Sequence, residues 1–434
     1  MTQTAVKNSQ ITKFADQDQV IESLRGLLQI ESTSGDAGPV TEEAPLGENI
    51  NKAINYVLEL GKSFGFRTSN IGGMCGWVEM GNEDSDEMVG ILAHVDTVPV
   101  SEGWEYKPFD ATVEDGRIYG RGTNDDKGPA IAALYAMKAV ADSGIPLDRR
   151  IRLIVGGDEE NGLWRCMARY KETEEIPTCS FSPDADYPVI FAEKGILGVK
   201  IASKPGLKGD DLTFDSGTVI NIVPAEAHAE AGGKKYQAKG TPAHAMEPFK
   251  GDNALLKLGK LLEQEGVKHP FLDLLDIADT KGLGIDVSDD VSGELTFNPA
   301  VAHVDADGAE LECDIRYPVT LKGEDFAESI RQAVEPLGFT VEITKNVAPL
   351  YVDKNSELVQ KLLKVYQDVT GEDAEPISLG GGTYARAFDN AVAFGILFPG
   401  EPNMCHQTNE YWPVDDLNAN MRIMAEAIAA LGAK

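Results

Sequence analysis

The spacing of apolar and polar positions predicts alternating helices and strands in the first half of the chain. Segments 20–28 and 50–64 repeat apolar residues every three or four positions, which is typical of amphipathic helices. Segments 88–94 and 150–155 are short apolar runs typical of buried strands, and 129–142 is a helix rich in small residues. This alternation indicates an α/β layered domain.

A different pattern, richer in short strands, begins after Gly195. The elements predicted there are strands 198–203, 219–223, 225–231, 296–298, 309–316 and 339–343, and helices 253–264 and 323–334. Helix 356–369 and strand 391–397 then return to the α/β pattern. We therefore predict a larger α/β domain formed by residues 1–195 and 346–434, with a smaller α+β domain inserted at 196–345.

Composition and charge narrow the class of protein. The 434 residues are 42% hydrophobic and 25% charged, as in globular proteins. A net charge of −32 disfavours nucleic acid and anionic membranes as partners and favours cations. The start of the chain lacks the apolar stretch of a signal peptide, and five scattered cysteines predict reduced thiols, so we expect a cytoplasmic protein that is not bound to a membrane.

A candidate metal ligand lies at the end of strand 88–94. Side chains two residues apart in a strand point the same way, so His94 and Asp96 share one face. A carboxylate beside an imidazole fixes its tautomer and raises the basicity of the ligating nitrogen. Alternatively, these two side chains form an ordinary solvated pair in a loop. Further candidate ligands are therefore needed to predict a metal site here.

Two acidic motifs follow. In Gly-Arg-Gly-Thr-Asn-Asp-Asp-Lys-Gly-Pro at 120–129, glycines and a proline bring Asp125 to the start of a helix, although an ordinary capped helix would look alike. Gly-Gly-Asp-Glu-Glu-Asn-Gly at 156–162 follows a strand, where α/β sheets place active sites. The adjacent Glu159 and Glu160 point in different directions, so one can bind metal while the other moves a proton.

Two later residues complete the candidate set. Asp184 lies in a proline-bounded loop, where Asp186 is a rival for the same role. His406 follows a predicted strand and a glycine-proline turn. The chain has only six histidines, and two of them, His94 and His406, lie in settings suited to metal binding.

The order and spacing of these motifs resemble those of the co-catalytic di-zinc metallopeptidases, the family of aminoacylase, carnosinase and succinyl-diaminopimelate desuccinylase. The resemblance covers most of the chain and is strongest to the PepV group of Xaa-His dipeptidase-like enzymes, in segments 182–188, 192–195, 314–318 and 380–384. It implies a phosphorylase/hydrolase-like zinc-peptidase catalytic domain of the α/β class, with an inserted α+β, ferredoxin-like lid domain.

The resemblance also implies a centre with two divalent metal ions, Zn²⁺ or alternatively Mn²⁺. Asp125 would bridge the two ions, and its peptide bond to the next residue would be cis. His94 and Asp184 would complete one site, and Glu160 and His406 the other.

Further roles are implied for residues around the metals. Glu159 would be the general base and acid, and Asp96 would orient the imidazole of the first site. In the inserted domain, Asn221 and His244 would hold the substrate's carbonyl oxygen and Arg316 its carboxylate, which suits the donors that these side chains offer.

Two points concern the rest of the site. Arg386 is a second candidate carboxylate clamp, whereas His228, His269 and His303 are interpreted as structural. Only 23 positions separate Asn221 from His244, fewer than in the PepV group, where a longer lid lets one chain imitate a dimer. The assembly is therefore a monomer or a homodimer, and in a homodimer His244 would act in trans.

The predicted function is a metal-dependent dipeptidase. It would hydrolyse dipeptides or short peptides with a free carboxylate, through a water that bridges two metal ions. An N-acyl-amino-acid amidohydrolase, of the deacetylase or desuccinylase type, is the alternative enzyme. A non-catalytic, metal-stabilised binding protein is the alternative from another class, although it would need neither Glu159 nor His244.

Overall fold

The structure, a computed structural model, describes residues 9–207, 209 and 211–434. Its helices are α1 (Gln17–Leu28), α2 (Glu48–Ser63), α3 (Lys127–Asp142), α4 (Arg165–Thr173), α5 (Ala254–Gln264), α6 (Pro270–Asp276), α7 (Gly323–Val334), α8 (Glu357–Thr370) and α9 (Val414–Gly432). Its strands are β1 (Arg67–Ile71), β2 (Cys75–Gly81), β3 (Met88–His94), β4 (Thr112–Glu114), β5 (Arg117–Tyr119), β6 (Arg150–Gly156), β7 (Cys179–Ser182), β8 (Ala185–Asp186), β9 (Ile190–Glu193), β10 (Gly195–Ser203), β11 (Leu212–Ser216), β12 (Glu226–Ala231), β13 (Lys234–Lys239), β14 (Ser288–Asp289), β15 (Gly293–Glu294), β16 (Thr296–Val304), β17 (Ala309–Tyr317), β18 (Phe339–Val347), β19 (Leu350–Tyr351), β20 (Ile377–Leu379), β21 (Ala391–Ala393), β22 (Ile396–Leu397) and β23 (Tyr411–Pro413).

The larger of two compact units comprises the chain up to Phe191, together with Val352–Ile377 and Thr383–Lys434. Its sheet runs in the order β1-β2-β6-β3-β7-β21, and β3 pairs in parallel with β6 and β7. Every residue of β3 is buried, as its apolar sequence predicts, and α3 packs against α9 and α1. In the β3–β6 register His94 lies opposite Gly156, so two of the predicted motifs leave the sheet at the same edge.

The smaller unit comprises Ala192–Tyr351 and Ser378–Gly382. It is α+β: a seven-stranded antiparallel sheet, ordered β13-β12-β11-β16-β17-β10-β18, with α5 packing on β12 and β13 and α7 packing on β18. Residues of β12 alternate between buried and exposed, because one face of the sheet covers the apolar core. The segment 378–382, which the sequence assigned to the larger domain, lies in this unit.

Most predicted elements are confirmed to within a few residues. Strand 88–94 and helix 323–334 have the predicted limits. The predicted strand 219–223 is wrong, because this segment is a loop with one isolated bridge, from Ile222 to His244. The predicted strand 391–397 is two strands, β21 and β22, interrupted at Gly395, which has a φ of 89°.

Two further observations concern the helices. The long helix α9 was not predicted, although its buried residues recur at helical spacing. Among the described residues, none of the helices combines the length and the apolar character that crossing a membrane requires.

Candidate metal centre

The edge of the larger sheet positions the first candidate ligand. β3 ends at His94, whose backbone N–H donates to Oδ2 of the buried Asp126 at 2.9 Å. The turn of the motif at 120–129, which carries Asp126, requires a glycine at position 128, because a Cβ there would lie 2.0 Å from the carbonyl oxygen of Thr123. The peptide bond Asp125–Asp126 is cis, as the resemblance implied.

The five predicted metal ligands lie together, with Asp125 in the middle of the group. Its Oδ1 lies 3.1 Å from Nε2 of His94, and its Oδ2 lies 3.0 Å from Nε2 of His406. His94 Nε2 is also 3.8 Å from Oδ2 of Asp184, and His406 Nε2 is 3.1 Å from Oε2 of Glu160. Asp125 therefore lies between two imidazoles, each of which has a second carboxylate beside it.

The unsatisfied atoms of this cluster fit a bound cation. Oε1 of Glu160 is buried without a hydrogen-bond partner among the described residues, and the buried Nε2 of His94 makes no well-aligned hydrogen bond there although two carboxylates lie within 3.8 Å of it. Leaving a buried polar atom unpaired costs about 1–3 kcal/mol. Ligand atoms of these two residues and of Asp125 all lie within 4.8 Å of one another. Imidazole and carboxylate ligands suit Zn²⁺ and Mn²⁺, so these residues fit the divalent ions that the resemblance implied.

Burial and crowding of like charges shift the pKa values of the cluster. Burial alone would raise the pKa of Asp125, but the neighbouring His406 and His94 outweigh it and hold that pKa below its ordinary value. Burial raises the pKa of Glu160, and the Asp125 carboxylate raises it further. Burial lowers the pKa of His406, yet Asp125 and Glu160 together raise it to about 11. The imidazoles thus oppose the mutual repulsion of the carboxylates.

Asp96 connects the first imidazole to the second acidic motif. Nδ1 of His94 lies 3.0 Å from the carbonyl oxygen of Asp96 and 3.5 Å from its Oδ1. The same carboxylate accepts hydrogen bonds from the backbone N–H groups of Glu159, at 3.2 Å, and Glu160, at 3.1 Å. This buried residue therefore positions the ring nitrogen through its backbone carbonyl, and the turn that carries both glutamates through its carboxylate.

Glu159 lies beside these ligands, and the pKa of its carboxyl is shifted well above the ordinary value. Burial raises its pKa to about 8; Glu160, Asp96 and Asp125 add to this effect and His94 opposes it. A carboxyl with a pKa in this range can both accept and release a proton near neutral pH.

Asp186 and Arg386 are the two other candidate residues in the larger unit. Asp186, the rival of Asp184, is exposed in β8, whereas Asp184 is only 16% exposed and faces His94. Arg386 lies on the short turn Tyr384–Ala387 and is partly buried. The ring of Tyr384, on this turn, meets the His94 ring edge-on, with 6.1 Å between their centroids.

The smaller unit brings Asn221 and His244 together. The isolated bridge from Ile222 to His244 is reinforced by a 2.9 Å hydrogen bond from Ala245 N–H to the carbonyl oxygen of Asn221. Nδ1 of His244 accepts from the backbone N–H of Met246 at 3.1 Å, which makes Nε2 the proton-bearing nitrogen of the neutral ring. This tautomer can donate a hydrogen bond to an oxyanion.

Arg316 already binds a carboxylate of its own strand. Its Nε and Nη2 donate to the two oxygens of Asp314, at 2.5 and 3.0 Å, and Nη1 donates to the carbonyl oxygen of Gly380 at 3.2 Å. Among the described contacts, one N–H on each terminal nitrogen remains for a substrate. The N–H groups of Nε and Nη2, which together could bind a substrate carboxylate with two parallel hydrogen bonds, are therefore occupied by Asp314.

Sequence reasoning missed two residues that support the centre, Arg121 and Glu410. They form a fully buried ion pair, with 2.6 Å between Nη1 and Oε2, and both contact the backbone beside predicted ligands. The only available signal was their position, since each lies within four residues of a predicted ligand, Asp125 or His406.

Known proteins resemble this chain over most of its length. The family model described as peptidase family M20/M25/M40 matches residues 90–430. The Bacillus subtilis (strain 168) protein named "Putative dipeptidase YtjP" is 38% identical, over 98% of this chain and 99% of its own length. The chain therefore belongs to peptidase family M20/M25/M40, as the resemblance of its motifs predicted.

Solved structures show the same fold. The structure of human carnosine dipeptidase 1 is similar with a TM-score of 0.64 at 14% identity, covering 96% of both chains. The Bacillus subtilis YXEP protein, described as a dinuclear metal binding peptidase from the M20 family, has a TM-score of 0.57 at 11% identity, covering 96% of this chain and 98% of its own. The predicted fold class is thus confirmed.

Proposed function

We propose that this chain is a metal-dependent dipeptidase, which hydrolyses dipeptides or short peptides that carry a free carboxylate. The observation that carries the proposal is the position of Asp125, whose two oxygens each contact a different imidazole. Membership of a peptidase family and the name of its 38% identical relative support the choice of substrate.

The proposed centre holds two divalent ions, Zn²⁺ or alternatively Mn²⁺. His94, Asp125 and Asp184 would hold one ion, and Asp125, Glu160 and His406 would hold the other. Bound divalent ions lower the pKa of coordinated water and polarise a carbonyl group. The unsatisfied Oε1 of Glu160 and the two carboxylates crowded against Nε2 of His94 support this assignment, because a cation would bind all of these atoms.

Glu159 is the proposed general base and acid. It would take a proton from the attacking water and then deliver it to the departing amine, which completes hydrolysis without net gain or loss of protons by the enzyme. Its place on the turn that also carries the proposed ligand Glu160 supports this role. Asp96 is the proposed positioning residue, since it binds the backbone of the Glu159 turn and lies beside the ring of His94.

The smaller unit supplies the proposed substrate-binding residues. His244 would donate from Nε2 to the developing oxyanion, and Asn221 would donate to the same carbonyl oxygen. Arg316 would bind the substrate's carboxylate through its outer N–H groups, because Asp314 holds the inner pair. Arg386 is proposed as a second carboxylate clamp.

An assay with matched substrates tests the proposal. Unmodified dipeptides, N-acetylated and N-succinylated amino acids are incubated with the protein as purified, after chelation, and after restoring Zn²⁺ or Mn²⁺. We expect hydrolysis of dipeptides that is lost on chelation and recovered with the metal. Preferential hydrolysis of the acylated amino acids would instead identify an amidohydrolase, and no turnover of any substrate would identify a binding protein.

The assembly is tested by mixing two inactive variants, Glu159→Gln and His244→Ala. In a homodimer with His244 acting in trans, mixed dimers regain one complete site, and activity returns. In a monomer the mixture stays inactive. A cytoplasmic location and the lack of nucleic-acid and membrane partners stay predictions.

A further inference from the structure

The buried ion pair Arg121–Glu410 joins two loops that carry metal-ligand candidates. Arg121 belongs to the loop of Asp125, and Glu410 belongs to the loop of His406. Their side chains are 1% and 0% exposed, so both charges are removed from water. Removing two charges from water is costly, and a buried pair persists only where geometry and further hydrogen bonds compensate.

Glu410 holds the loop of Asp125 through its backbone. Its Oε1 accepts hydrogen bonds from the N–H groups of Gly122 at 3.1 Å, Asn124 at 2.8 Å and Asp125 at 3.3 Å. Three backbone N–H groups that donate to one carboxylate oxygen fix the path of this loop's backbone. The orientation of the Asp125 side chain follows from that of its own backbone.

Arg121 holds the loop of His406 in the same way. Its Nη2 donates to the carbonyl oxygen of His406 at 3.4 Å, and its Nη1 donates to that of Gln407 at 3.4 Å. His406 has a φ of 65°, in the left-handed region that residues other than glycine rarely adopt. The guanidinium thus holds an unusual backbone conformation at a proposed metal ligand.

The contacts are reciprocal: each side chain binds the backbone of the loop from which its partner comes. We propose that Arg121 and Glu410 are positioning residues that set the separation of Asp125 and His406. They thereby control the affinity of the metal site to which His406 contributes. This inference rests on the metal centre of the proposed function.

Two variants test the inference. Glu410→Gln keeps the shape of the side chain, but its amide nitrogen must face either the guanidinium or the backbone N–H groups, all of which are donors. Arg121→Lys keeps the charge but replaces the fork by one ammonium group, which cannot reproduce the paired contacts. A buried ion pair of the same unit, Arg152–Glu79 at 2.5 Å, supplies the matched control Glu79→Gln.

The measurement is titration of the metal-free proteins with Mn²⁺ by calorimetry, with electron paramagnetic resonance to detect magnetic coupling between two bound ions. We expect the wild type and Glu79→Gln to bind two coupled ions. Glu410→Gln and Arg121→Lys should bind the second ion about 10- to 100-fold more weakly, as is typical when residues that orient metal ligands are changed.

Three results would overturn the inference. Wild-type affinity for both ions in Glu410→Gln and Arg121→Lys would show that the pair does not position the ligands. An equal loss in Glu79→Gln would show a general effect of destabilisation. A wild type that binds fewer than two ions would contradict the metal centre itself, and with it this inference, whereas the first two results leave that centre intact.

Discussion

At the residue scale, the roles of neighbouring carboxylates differ because their surroundings differ. Asp125 faces two imidazoles, which hold its pKa below the ordinary value. Glu159 is half-buried among other carboxylates, which together with desolvation raise its pKa to about 8. One side chain is therefore suited to stay ionised as a ligand, and the other to exchange a proton.

This difference leads to a prediction for Glu159→Gln. The amide keeps the size of the side chain but cannot take up a proton, so kcat should fall about 10²- to 10⁴-fold. Metal content, measured by atomic emission, should stay at the wild-type level, because Glu159 is not a proposed ligand. Turnover at the wild-type rate would remove Glu159 from the role of base, and loss of metal would make it a ligand instead.

Residue types and spacing singled out candidate ligands, because metal chemistry limits ligands to a few types of side chain; that these residues bind metal stays a prediction. His94, Asp125 and His406 were all found in this way, and the structure brings them together. Arg121 and Glu410 were missed because their roles depend on backbone contacts between segments about 290 residues apart, which no local pattern encodes.

At the element scale, the segment 219–223 shows where periodicity misleads. Its run of β-branched residues is typical of a strand. Two of its carbonyl groups, however, are bound by a side chain: Nδ2 of Asn298, on β16, donates to Ile220 at 3.0 Å and to Ile222 at 3.1 Å. A loop held by one buried amide cannot be distinguished from a strand by composition.

This loop carries Asn221, so Asn298→Ala should have two effects. Two carbonyl groups lose their donor, which should lower the free energy of unfolding by about 1–3 kcal/mol. Because Asn221 is a proposed oxyanion donor, kcat for dipeptides should also fall, while metal content stays unchanged. Urea denaturation and steady-state kinetics measure the two effects. An unchanged kcat in a destabilised variant would show that the position of Asn221 does not matter for turnover.

A second prediction at this scale concerns pH and His303 of β16. Its Nδ1 lies 2.7 Å from Oδ1 of Asp215 and its Nε2 lies 3.2 Å from Oδ2 of Asp305, and these two carboxylates raise its pKa although slight burial opposes them. A folded-state pKa above the unfolded value of about 6.5 means that stabilisation is complete below that pH and is lost as the pH rises through the folded pKa.

The matching variant is His303→Gln. Exposed pairs contribute about 0.2–1 kcal/mol, so we expect the wild type to exceed the variant in the free energy of unfolding by that order at pH 5.5 and by less at pH 9. Urea denaturation at the two pH values measures the difference. A difference that grows with pH would contradict the sign of the pKa shift.

At the scale of the whole molecule, the residues with proposed roles fall in two different compact units. The five proposed metal ligands and Glu159 belong to the larger unit, and Asn221, His244 and Arg316 belong to the smaller one. The net charge of −32 favours the approach of cations to such a protein. The order of predicted helices and strands predicted these two fold types, because the two kinds of element have different hydrophobic periods and their order along the chain differs between α/β and α+β folds.

Anomalous diffraction from crystals grown with Zn²⁺ would show whether Asp125 bridges two divalent ions, as proposed. We expect two anomalous peaks about 3.5–4 Å apart. One should be bound by His94 and Asp184, the other by Glu160 and His406, and both by Asp125. A single peak, or two peaks with Asp125 outside the coordination shell of either ion, would contradict the proposal.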